Sequence, residues 1–185
     1  MKKTDKIKVL NNAIDTKRLC DCVFNDDSDS LFLYILQVSD KLLLGIEEDD
    51  FALDGFFIRK ISDLKTIEMR DNLCNKIESE LNLLAGVQLP QIDVTSWQSV
   101  FESLKSLNRL IIVETEDSDN YYSSFHMGFI TEIKKSSIVI SEIDADGVWY
   151  KDIQILYSDI TSVNFGDRYS KTWQQYIEKH NLLPN

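Results

Sequence analysis

The chain repeats itself. The stretch Ser62-Asp63-Leu64-Lys65-Thr66-Ile67 returns as Ser158-Asp159-Ile160-Thr161-Ser162-Val163, and Asp159 stands 96 positions beyond Asp63. The same offset sets Met69 on Phe165, Asp71 on Asp167 and Leu73 on Tyr169. A recurrence at about half of a 185-residue chain points to a duplicated domain and not to a short-period solenoid. The expected division is a first repeat over 1–86 and a second over 87–185. Each copy has room for a small core only, so the halves are expected to lean on each other.

Periodicity fills in the repeat. Ile7, Leu10 and Ile14 predict a short amphipathic helix within 4–16. Apolar runs at 18–25, 31–38, 42–47, 56–61 and 63–69 predict five short strands. Turns are expected at 25–30, 39–41 and Asp54-Gly55. Leu73, Ile77, Leu81 and Leu84 then change to helical spacing, with Gly86 placed as the stop. A connection over 87–95 leads to Thr95-Ser96-Trp97-Gln98, which has the pattern of a capping box. Trp97, Val100, Phe101, Leu104 and Leu107 follow as one apolar helix stripe. The second copy runs in the same order, with strands at 109–114, 124–133, 138–143, 149–156 and 160–165. Tyr169, Trp173 and Ile177 lie four apart and predict a final helix. Short strands without intervening helices favour a mainly β fold with accessory helices (α+β): two tandem five-stranded barrels.

The strand order, and three stretches in particular, carry a family resemblance. Gly128-Phe129-Ile130-Thr131-Glu132-Ile133 is similar to the second strand of the Sm-like (LSm) fold, where a glycine permits a sharp bend. Ile138-Val139-Ile140-Ser141-Glu142 is similar to the third. The stretch from Asp146-Gly147-Val148-Trp149 through Tyr157 to Tyr169 resembles uncharacterised bacterial proteins with tandem Sm-like repeats. The resemblance covers roughly 18–84 and 109–180 and implies Sm/SH3-like barrels. RNA-binding members of the fold use a basic-glycine motif in the turn between the fourth and fifth strands. Here those turns read Ile61-Ser62-Asp63-Leu64 and Tyr157-Ser158-Asp159-Ile160, with neither arginine nor glycine.

Net charge is −11. That field opposes nucleic acid and anionic membranes, and a protein partner is expected, with a basic one as the sharper reading. No run of 18 apolar residues is present, and Thr4-Asp5-Lys6-Ile7-Lys8 breaks any signal-peptide core after Met1-Lys2-Lys3. A cytoplasmic location is expected. Cys20, Cys22 and Cys74 lack disulfide-framework spacing, so reduced thiols are expected, with Cys20 and Cys22 on one face of a strand.

No residue pattern selects an enzyme or a cofactor. Asp144-Ala145-Asp146-Gly147 has the start of a calcium loop, but position 153 is Ile where a glutamate ligand belongs, so a turn is expected. His126 has no nucleophile elbow or phosphate loop to serve and is read as structural or exposed. Trp149, Tyr150, Tyr157 and Tyr169 are read as core. The recurring Ser62-Asp63 and Ser158-Asp159 are read as turns. The acidic loops 25–30 and 115–120 recur at equivalent places, and loops on a rigid scaffold carry recognition. The partner site is therefore expected at Asp117 and Asp119, with Tyr121 and Tyr122 as aromatic anchors. The function expected is a non-enzymatic interaction protein. The alternatives are an acidic inhibitor that masks a basic toxin and an RNA-binding regulator of Sm-like type. Unpaired barrel edges offer a route to oligomers.

Overall fold

The computed structural model describes residues 1–25, 30–116 and 123–183. The fold is mainly β with four helices among these residues. The chain divides into two compact units, Met1–Thr95 and Ser96–Asn185.

The first unit opens with α1 (Lys3–Thr16), followed by β1 (Leu19–Phe24), β2 (Leu31–Val38), β3 (Leu42–Asp49), β4 (Ala52–Lys60), β5 (Leu64–Met69) and α2 (Leu73–Leu81). The strands are antiparallel in the order β5-β1-β2-β3-β4. Helix α1 has no side-chain N-cap. Its stability comes from burying Leu10 and Ala13 in a core with Cys20, Cys22, Phe24 and Leu43. Cys20 and Cys22 share that buried face, as alternation on a strand requires. Burial pushes the Cys20 thiol up to about 12 and also raises that of Cys22 well above its ordinary value, so neither is a reactive thiolate.

The second unit contains α3 (Trp97–Ser106), β6 (Ile111–Glu116), β7 (Ser123–Ile133), β8 (Ser137–Glu142), β9 (Ile153–Leu156), β10 (Ile160–Phe165) and α4 (Arg168–His180). Its antiparallel order, β10-β6-β7-β8-β9, repeats that of the first unit. Strands β5 and β10 are related residue for residue by the 96-position offset. Leu64 and Ile160 are buried at equivalent places, as are Ile67 and Val163. The Ser-Asp pairs sit in matching turns. Asp63 N–H donates to Lys60 O at 3.2 Å and Asp159 N–H to Leu156 O at 3.1 Å. In each, the serine hydroxyl donates to its neighbour's Oδ1, at 2.8 and 2.6 Å.

Five details differ from the sequence expectations. Neither set of five strands closes into a ring, since no ladder joins β4 to β5 or β9 to β10 among the described residues. Strand β9 keeps only four residues, and Trp149 contributes no more than a single bridge to Ile143. Asp54-Gly55 is not a turn but lies inside β4, where Gly55 has φ of 74° beside a register shift. The turn is Asp50-Phe51, both left-handed at φ of 48° and 66°, and the Phe51 N–H donates to Glu48 Oε1 at 2.5 Å. Ser96, one residue later than the capping-box reading, caps α3 by accepting from Ser99 N–H at 3.1 Å, and α2 ends at a left-handed Asn82 before Gly86 is reached.

Candidate functional site

The second unit carries a groove of about 430 Å3 lined by Phe125, Met127, Glu142, Asp144, Tyr150 and Tyr169, with no basic side chain among the described lining residues. The strands β7 and β8 form its floor. Gly128 makes their close approach: a Cβ there would lie 2.0 Å from Ser141 O, so any side chain would force the strands apart. Alternation then puts Met127 into the core and Phe125, two residues back, on the same face at the rim. Glu142 ends β8, and Asp144 follows two residues on.

Asp144 shapes the wall beside it. Its Oδ1 accepts from Asp146 N–H and Val148 N–H, both at 2.9 Å, which closes the turn. Its Oδ2 accepts from the Tyr150 hydroxyl at 2.7 Å. The Tyr150 bond, followed by those from the turn amides, holds the Asp144 carboxyl below its usual range. The same bond and charge push the Tyr150 phenol up. Asp146 and Glu142 also act on Tyr150, so three carboxylates surround one phenol. The carboxylate oxygens of Asp144 serve the turn's own donors, and the calcium-loop resemblance is thereby explained as a turn. Glu142 Oε1 lies 2.8 Å from His126 Nδ1, which gives this histidine a carboxylate partner.

The groove is also lined by exposed aromatic rings. Phe125 is 52% exposed, Tyr150 52% and Tyr169 46%. Phe125 meets Tyr169 edge-to-face at 6.3 Å, and the series continues along α4 through Trp173 at 6.4 Å to Tyr176 at 6.3 Å. Asp167 caps α4 by accepting from Ser170 N–H at 2.7 Å, and buried Ile177 fixes the helix rotation. Tyr169 and Tyr176 therefore face outward.

The expected core role of Tyr150 and Tyr169 is thus overturned. The missed signal was spacing: residues 169, 173, 176 and 180 are all aromatic or histidine and form their own helix stripe, beside the core stripe through Ile177. Trp149 is half-buried, stacked on Phe129 at 6.1 Å, and Tyr157 stacks on Phe101 at 5.7 Å. The expected partner residues Asp117, Asp119, Tyr121 and Tyr122 lie outside the described residues.

The first unit holds a buried polar cluster of a different kind. The Tyr34 hydroxyl donates to Glu78 Oε2 at 2.7 Å, and Asn75 Nδ2 donates to the same oxygen at 3.3 Å. The first bond fastens α2 to β2, and the second, within α2, holds the Glu78 carboxylate in place. Burial first, and then the Glu78 carboxylate, push the Tyr34 phenol up. The cluster is enclosed, so it serves as a tether. No helix among the described residues is long and apolar enough to cross a membrane.

Comparison of the chain with protein-family models gives no match. Comparisons with curated proteins and with solved structures give no significant match either.

Proposed function

We propose that the chain is a non-catalytic, cytoplasmic protein-interaction module, built as two tandem Sm-like repeats, that docks a basic protein in the groove of its second unit. One observation carries the reading: exposed aromatic rings and carboxylates line one groove on a chain of net charge −11. Aromatic side chains exposed together in a concave site supply the contact area that interfaces favour, and the carboxylates give the sign of the partner. The shared strand order of the units supports the repeat reading. The buried thiols of Cys20 and Cys22 suit a reducing compartment. An inhibitor of a basic toxin is the special case in which the docked surface is the toxin's own active face.

The test is affinity capture from native extract with the full chain and with a Phe125→Ala/Tyr169→Ala double variant. A basic protein held by the parent and lost by the variant at equal salt is the expected result. Capture of the same proteins by both, in equal amount, overturns the reading.

A further inference from the structure

We infer that the groove between β7, β8 and α4 recognises an arginine side chain of the partner, with the guanidinium against the Phe125 and Tyr169 rings and facing the carboxylates of Glu142 and Asp144. The inference rests on the reading of this groove as a docking site and adds the chemistry of what enters it.

Three features of the groove select that cation. The first is the presence in one groove of aromatic rings and two carboxylates, that of Glu142 lying beside His126. A guanidinium is planar, stacks on aromatic rings and donates through a fork that matches a carboxylate. An ammonium is a compact, strongly hydrated charge and gives up more on leaving water. The second is rigidity. Tyr150 is fixed by its 2.7 Å bond to Asp144, which is itself fixed by two turn amides, so the polar wall is ordered before any ligand arrives. The third is the floor. Met127 and Ile143 are buried at 2% exposure and present an apolar base to the aliphatic stem of a long side chain. The volume of about 430 Å3 lies within the range of sites that enclose small groups, roughly 300–1,000 Å3. Phosphate-bearing ligands are opposed by the same carboxylates, although the aromatic rim alone would suit a nucleobase.

The experiment titrates the full chain with three probes: a capped peptide bearing three arginines spaced by glycine and serine, its lysine counterpart, and an oligouridylate. Intrinsic fluorescence reports binding, because Trp173 adjoins Tyr169. The arginine peptide is expected to bind about tenfold more tightly than the lysine peptide, and Tyr169→Ala and Phe125→Ala are each expected to cost about tenfold. Both positions are about half exposed, so neither truncation opens the core. Glu142→Gln is expected to weaken the arginine peptide and to reduce the salt dependence. Equal binding of the two peptides, unchanged in the groove variants, overturns the arginine inference and leaves a basic-partner reading standing on net charge. Absence of peptide binding, alongside groove-dependent capture of a native protein, overturns the inference and spares the docking site. Oligouridylate binding lost in Tyr169→Ala overturns both.

Discussion

Glu48 shows what a single buried charge does to this chain. Burial pushes its carboxyl above the ordinary value of 4.5, and Glu78 adds to the shift, while the Phe51 amide and Arg70 work against it. The folded state therefore holds the proton more tightly than the unfolded chain. The contribution of this group is fully present below pH 4.5 and is lost as pH rises through the folded value. Glu48→Gln keeps an acceptor for Phe51 N–H and removes the charge. It is expected to be more stable than the parent at neutral pH, with the gap closing below pH 4.5; urea melts across that range check it. Gly128 acts through space alone, since any Cβ meets Ser141 O at 2.0 Å. Gly128→Ala should cost about 1–3 kcal/mol, or more if the strands cannot separate, measured by the shift in urea midpoint. The sequence marked this glycine only through the family resemblance, as the place of a bend, whereas its close approach to Ser141 O shows in the structure alone. The roles of Asp144 and Tyr150 were not, because a carboxylate six residues from a phenol predicts no contact until the turn between them is known.

Helix α3 carries the clearest match between pattern and packing. Trp97, Val100, Phe101 and Leu104 are buried as their spacing demands, and Phe101 stacks between Trp97 at 5.8 Å and Tyr157 at 5.7 Å. Phe101→Ala should cost about 3–5 kcal/mol, read from thermal or urea unfolding. The β3–β4 hairpin is the reverse case. Its two central residues, Asp50 and Phe51, are left-handed without being glycine or asparagine, so no local rule located the turn. The carboxylate of Glu48 compensates. Replacing Asp50-Phe51 by Asn-Gly should raise stability by about 1 kcal/mol through relief of that strain, checked by the same melts. Strand existence was legible from apolar runs, whereas strand ends were not. The short β9 shows why: Trp149 and Tyr150 have strand-forming side chains, yet they keep only the bridge to Ile143 and a Tyr150 N–H to Glu142 O bond at 2.8 Å, and the regular ladder starts again at Ile153. The aromatic stripe of α4 was hidden for a related reason. Trp173 belongs to both stripes, and only the burial of Ile177 settles which way the helix turns.

At the scale of the molecule, duplication and charge make separate demands. Strand order, the Ser-Asp turns and the β5 and β10 registers recur in the two units, as the proposed duplication requires. Not every role is held in place: Asp71 lies 3.7 Å from Arg18 in an ion pair, whereas its counterpart Asp167 caps a helix. The aromatic groove belongs to the second unit, where Tyr169 stands at the place that Leu73 holds in the first copy. Charge, unlike the groove, belongs to the whole chain. With a net −11, binding to a polyanion would gather like charge and gain nothing from counterion release, whereas a basic partner is steered in. The two cases separate by salt. Duplex DNA and generic RNA are expected to show no association with the full chain at physiological ionic strength. Association with the arginine peptide should slow severalfold between low and physiological salt, as the screening length falls from about 30 Å at 0.01 M to about 8 Å at 0.15 M. Stopped-flow fluorescence over that range measures it. A rate independent of salt would mean that the acidic surface serves solubility alone and that the groove works without it.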